Sequence, residues 1–271
     1  MKNILLIGTS MIDQIFTTNE IHPQQCNKGK LVTGHGGSIH NVAVNLGYLD
    51  LNPIFVTKLG NDVLAQEIHD NLSLTGVEIH PVYIQKPTPI FQSIQATNTY
   101  FFLSTISSDF LFNENDDCDY SLFRDSYVVT DQKDEKFLFN CMINSPSSNW
   151  ILSGHMPHTS LLAYTTGIVL NEDEFIPEKV DFTTGLQWII ITSQNGATCL
   201  TAEGKVFIPC NVVPTLNTLG AGDAFLAGIL YGLLRNFDLT DCIGIAHRTA
   251  SVILQSPLAT NPDLQKLANL L

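Results

Sequence analysis

Asn217-Thr218-Leu219-Gly220-Ala221-Gly222-Asp223-Ala224-Phe225 is the stretch on which the reading of this chain turns. Small residues lead into an acid, and an almost wholly apolar helical segment, Ala224 to Leu234, follows at once. Backbone N–H groups and the positive end of a helix dipole then converge beside a carboxylate, which suits an anion and a base together. Without bulky side chains in the way, a phosphate can approach the main chain closely. Asp223 would stand where it can take a proton from whatever attacks that phosphate. Taken alone, the same residues read more simply as a tight turn in which Asp223 caps a helix. The rest of the chain decides between the two.

Upstream, short apolar runs recur at Ile4-Ile7, Ile54-Thr57, Tyr127-Thr130, Trp150-Ser153, Gly167-Leu170 and Trp188-Thr192. Helix-like stretches lie between them at Gly37-Leu49, Val63-Thr75, Glu135-Ile143 and His158-Tyr164. Continuous apolar strands alternating with helices predict a parallel sheet covered on both faces. Two segments break the rhythm. Residues 13–32 are polar, and residues 84–103 hold two β-rich runs about the turn-forming Thr97-Asn98. They are expected to pair into a small extra sheet, whose uses include a lid, a dimer contact or mere decoration. Asn113 to Asp119 is acidic but lacks the glycine and terminal glutamate of a calcium loop, and reads as a solvated surface loop.

At 271 residues and 44% hydrophobic content, the chain can bury one large core with an appendage. A net charge of −13 disfavours a nucleic acid polymer or an anionic membrane as a partner. It does not exclude a phosphorylated ligand held in a local cradle of N–H groups. Six scattered cysteines without a C-x-x-C pair predict reduced thiols in a cytoplasmic protein. The first apolar run is too short for a signal peptide or membrane span.

A second concentrated signal is Gly34-His35-Gly36-Gly37-Ser38-Ile39-His40-Asn41-Val42-Ala43. Gly36 and Gly37 open a helix, and the Asn41 amide, both donor and acceptor, suits a hydroxyl-rich ligand. Asp13 follows the first strand, where ligands of open α/β sheets collect. No dinucleotide fingerprint or Walker loop is present.

The pair Gly36-Gly37-x-x-x-Asn41-x-Ala43 and Thr218-x-Gly220-Ala221-Gly222-Asp223-x-Phe225 resembles the two signatures of the ribokinase-like (PfkB) family of carbohydrate and nucleoside kinases. Leu59-Gly60-Asn61-Asp62, Gly76-Val77 and Asn171-Glu172-Asp173-Glu174 resemble further landmarks in the right order. The early segment is somewhat closer to pseudouridine kinases than to ribokinases. The resemblance implies a single α/β/α sandwich domain over 1–271, with a mostly parallel sheet and a β lid from about 13–32 and 84–103. It implies a cytoplasmic kinase, dimeric through the lid, that uses ATP and Mg²⁺, with a monovalent cation as a candidate addition. The acceptor would be a primary hydroxyl of a ribose-, fructose- or pseudouridine-like substrate.

By the same resemblance Asp223 is the base, and the N–H groups of Gly220, Ala221 and Gly222 form the anion hole. Asp13, Gly36, Gly37 and Asn41 hold the substrate. Thr192, Gly196, Thr218, Gly220 and Gly222 contact the nucleotide, and Asn171 and Glu174 position Mg²⁺ through water. A base at a helix N-terminus is expected to have a depressed pKa. Two residues depart from the family pattern: Asn217 stands where Asp is usual, and Gln194 where Gly is usual. They leave a non-catalytic sugar or nucleotide sensor as the alternative.

Overall fold

The computed structural model describes residues 3–270; residues 1, 2 and 271 of the expected domain lie outside the described residues. Strand β1 (Asn3–Thr9) runs, with Ser10 alone between, into β2 (Met11–Thr17), followed by β3 (Lys30–Gly36) and α1 (Ser38–Tyr48). Next come β4 (Ile54–Leu59), α2 (Val63–Leu74), β5 (Glu78–Tyr83), β6 (Ile90–Ala96) and β7 (Thr99–Ser104). Strand β8 (Ser126–Thr130), α3 (Glu135–Ile143), β9 (Asn149–Ser153), β10 (Thr165–Asn171) and β11 (Trp188–Ser193) continue the alternation. The chain ends with β12 (Gly196–Thr201), β13 (Gly204–Pro209), α4 (Ala221–Leu234), α5 (Leu239–Leu254) and α6 (Leu264–Ala268).

In β1, Ile4 and Leu6 enter one core and Leu5 and Ile7 another, as the pleat requires. A strand apolar on both faces belongs in the middle of a covered parallel sheet. It lies there between β4 and β8, parallel to both, in a nine-stranded sheet of order β13-β12-β11-β10-β9-β8-β1-β4-β5. Only the pairings of β12, with β11 and with β13 at one edge, are antiparallel, so β12 alone runs against the other strands. Residues of α1, α2, α4 and α5 pack on one face. Those of α3, with Phe112 and Phe123, pack on the other. The three-layer α/β/α fold expected from the sequence is the fold observed. Helix α4 is buried along Ala224–Gly232, and its Gly228 and Gly232 lie so close to α5 that a Cβ would overlap Ala246 and Cys242. This explains a helix without a polar face.

A separate four-stranded sheet, β3-β2-β6-β7, forms from the segments that broke the rhythm. Its strands extend beyond the polar stretch at 13–32, and residues 18–29 and 84–89 are connections. The chain passes between the two sheets at four places, and these are tied in pairs. Gly37, with φ 103°, packs so tightly on the Thr9 carbonyl that a Cβ would overlap it. The third crossing is fixed by Asp62, whose carboxylate accepts from the Thr88 N–H at 2.7 Å and the Thr88 hydroxyl at 2.6 Å. The same Asp62 caps α2 through the Ala65 N–H at 2.9 Å. Lys86 pairs with Asp109 and joins the third crossing to the fourth.

The helix-like stretch His158-Tyr164 is a 3-10 helix, Thr159–Tyr164. Two local expectations need correction. Helix α4 begins at Ala221, so Asp223 lies inside its first turn. The acidic loop 113–119 is not merely solvated. Asp116 accepts from Lys58 at 2.7 Å, and Lys58 is only 4% exposed. A buried ammonium requires a charge partner, and the loop supplies it.

Candidate active site

Helix α4 starts at Gly220, which takes a left-handed φ of 79° that glycine adopts without strain. A Cβ there would overlap Ala259, so the turn is also sterically confined. Gly222 differs: a Cβ built on it meets no atom within 4 Å. Of the first-turn N–H groups, which have no intrahelical acceptors, that of Ala221 makes a long bond of 3.3 Å to the Thr218 carbonyl. Above Gly222 there is open space against a helix N-terminus, and this fits an anion.

Asp223 faces the start of α1. Its Oδ1 accepts from the Ser38 hydroxyl at 2.6 Å and its Oδ2 from the Asn41 amide at 2.7 Å. Asn41 is 4% exposed, and its own Oδ1 has no partner among the described residues. A buried acceptor left open in this way suits a ligand hydroxyl. Asp13, on β2, is 7% exposed and lies against Gly36, where a Cβ would overlap the carboxylate. Glycines 36 and 37 are thus required by contact with Asp13 and Thr9.

The expected depression of the Asp223 pKa is not found. Burial pushes it up to about 6, and the charge of Asp131 adds to this, against donation from Ser38 and Asn41. Burial and then the charge of Asp223 push Asp13 up to about 7. Asp131 is also raised, by burial first. Desolvation and like charges outweigh the helix dipole here. A cleft of about 820 Å³ adjoins the group, lined among others by Thr9, Asn113, Asp131 and Lys133.

Asn171 and Glu174 lie at the carboxyl end of β10. The Asn171 Oδ1 accepts from the N–H groups of Asp173 at 2.9 Å and Glu174 at 3.1 Å, while Glu174 Oε2 accepts from the Asn171 N–H at 2.9 Å. The turn is self-capped, and no ready cluster of metal ligands occurs among the described residues. An oxygen-only pair on a preformed turn still fits Mg²⁺, which keeps its waters and leans on few protein ligands. Thr192 is the register partner of Asn171 on β11. Gly196 opens β12 beneath β13, where a Cβ would overlap the Ile208 carbonyl, so the hairpin itself requires that glycine. Gln194 is exposed at the hairpin turn.

Asn217 has a structural reason. Its Oδ1 accepts from the Leu219 N–H at 3.0 Å, and its Nδ2 donates to the Pro257 carbonyl at 3.2 Å. An aspartate could make only the first bond. Sequence reading missed Ser38 and Asp131. The i, i+3 spacing of Ser38 and Asn41 was a usable sign that both share one helix face, whereas nothing in the sequence brought Asp131 near.

Fold and site together place the molecule among the carbohydrate and nucleoside kinases of ribokinase type. More particularly, the chain belongs to the pfkB family of carbohydrate kinases, whose model matches residues 1–117 and 177–267. It is 24% identical to a fructokinase of Rhizobium leguminosarum bv. trifolii over 96% of this chain and 86% of that one. It is 22% identical to a nucleoside kinase of Methanocaldococcus jannaschii over 94% and 91%. Among solved structures, ribokinase from Thermotoga maritima superposes with a TM-score of 0.82 at 14% identity, covering 100% of both chains. Ribokinase from Cryptococcus neoformans, solved with ADP, gives 0.78 at 14% identity over 99% of both. At such identities the likeness is one of fold.

Proposed function

We propose that this chain is an ATP-dependent kinase that transfers the γ-phosphoryl group to a primary hydroxyl of a small sugar or nucleoside. Ribose-, fructose- and pseudouridine-like acceptors are the candidates. The observation that carries the reading is a half-buried carboxylate, Asp223, beside the open helix start at Gly222. In this reading Asp223 takes the acceptor proton, and its pKa of about 6 leaves it ionised at neutral pH while keeping it basic enough to work. The N–H groups of Gly220, Ala221 and Gly222 hold the transferring phosphoryl group. Asp13, Gly36, Gly37 and Asn41 hold the acceptor, with the open Asn41 oxygen taking one hydroxyl.

Thr192, Thr218 and the hairpin at Gly196 face the nucleotide. Asn171 and Glu174 would hold Mg²⁺, whose charge would offset that of the phosphates. The small sheet acts as a lid within a single domain. Its outer strand β7 exposes Tyr100, Phe101, Phe102 and Leu103, which suits a homodimer contact. In this reading the protein is cytoplasmic. No described helix is long and apolar enough to cross a membrane.

ADP release measured across a panel of sugars and nucleosides, with MgATP, tests the reading. Turnover with one acceptor class supports it. Thermal stabilisation by sugars or nucleotides without ADP release from any of them would make the protein a sensor instead.

A further inference from the structure

Ser38 is the first residue of α1, and Asn41 lies one turn on. Both reach the same carboxylate, one to each oxygen, at 2.6 and 2.7 Å. A carboxylate held at both oxygens by donors on one helix face cannot rotate without breaking a bond. Charge-assisted bonds of this length are the strong ones. We propose that Ser38 is a positioning residue for Asp223, whose hydroxyl fixes the carboxylate's orientation and keeps it ionised among other acids.

The surroundings make such a donor necessary. Asp13 faces Asp223 from β2, and Asp131 faces it from the end of β8 with Lys133 beside. Burial and the like charge of Asp131 favour protonation of Asp223, and Ser38 and Asn41 oppose them. A hydroxyl has one proton to give. While Ser38 gives it to Asp223, its oxygen can only accept, so an incoming acceptor hydroxyl meets acceptors alone at Ser38, Asp223 and the Asn41 Oδ1. That arrangement orients the hydroxyl as a donor, which is the orientation a base requires.

The inference rests on the kinase reading for its purpose, but its physical core can be measured on the ligand-free protein. Aspartate labelled with ¹³C at the carboxyl is titrated by NMR in the full chain, with the Asp223 signal assigned by its loss in Asp223→Asn. Repetition in an Asp13→Asn background removes the coupling between the two acids. Ser38→Ala is expected to raise the Asp223 midpoint by about one pH unit. Ser38→Thr restores the hydroxyl and the parental midpoint. Ser38→Cys, which keeps the volume with a weaker donor, falls between and serves if the alanine variant does not fold.

With the acceptor identified in the panel, the acid limb of kcat/KM moves by the same amount in Ser38→Ala. An unmoved midpoint, or a uniform loss of rate at every pH, would reduce Ser38 to a structural residue and overturn the proposal. Absence of ADP release with every acceptor, while the midpoint still moves, would sink the kinase reading alone.

Discussion

At the residue scale, the chemistry narrows to Asp223 and the two acids coupled to it. Asp223→Asn keeps the shape and the bond from Ser38 while removing the base, so kcat is expected to fall by a factor of about 10² or more. Binding of ATP, followed by titration of nucleotide with the acceptor absent, should change little. Parental turnover in this variant would remove Asp223 from the role of base. Because its raised pKa of about 6 adjoins that of Asp13 at about 7, kcat/KM should decline on acidification through this window in two linked steps. Rates flat down to pH 5 would contradict the assignment. Much of this was legible in the sequence, since Asp223, Gly37, Asn41 and Asp13 are all brought to one place. The ionisation of Asp223 was not, because a helix dipole can be read from a motif while burial and the neighbouring Asp131 arise only from the folded sheet.

At the element scale, the helix start of α4 separates two kinds of glycine that look alike in sequence. Gly220 has a left-handed backbone and presses on Ala259; Gly222 has open space above it. Gly220→Ala is therefore expected to cost on the order of 2 kcal/mol from strain and overlap. Gly222→Ala should leave stability unchanged or slightly raised, alanine being the better helix former. It should nevertheless lower kcat/KM for MgATP, because the new methyl stands where a phosphate would approach the N–H groups. Melting curves beside steady-state kinetics check both. Equal loss of stability in the two variants would mean that Gly222 only shapes the turn. The joint between the sheets follows the same logic. Glycines 36 and 37 were visible as a motif, but their contacts with Asp13 and the Thr9 carbonyl join distant stretches that no local pattern connects. The Lys58–Asp116 pair escaped for the same reason: a loop acid reads as solvated until a buried lysine is found beneath it.

At the scale of the whole molecule, the site sets how stability responds to pH. Asp13 has a folded pKa of about 7 against an ordinary 3.8, so the folded protein holds this proton more tightly than the unfolded chain does. Its contribution to stability is fully present below about pH 4 and is lost as pH rises through about 7. Asp223 has the same sign, with its loss centred nearer 6. His40 works the other way. It is fully buried, and burial followed by the charge of His35 lowers its pKa to about 3 from 6.5. What it contributes is present above about 6.5 and is lost as pH falls toward 3. The parent protein should therefore be most stable between these limits, and its own curve cannot isolate the acids. Asp13→Asn can. Below about pH 4 the protonated aspartate and asparagine are nearly alike, and the two proteins should melt together. Above about pH 7 the variant is relieved of a buried charge, worth up to about 4 kcal/mol, and should melt several degrees higher while binding the acceptor more weakly. A gain of equal size at every pH would show that Asp13 is not held in a setting hostile to its charge. A pH-dependent gain together with weaker acceptor binding would mark Asp13 as a residue kept for function against stability.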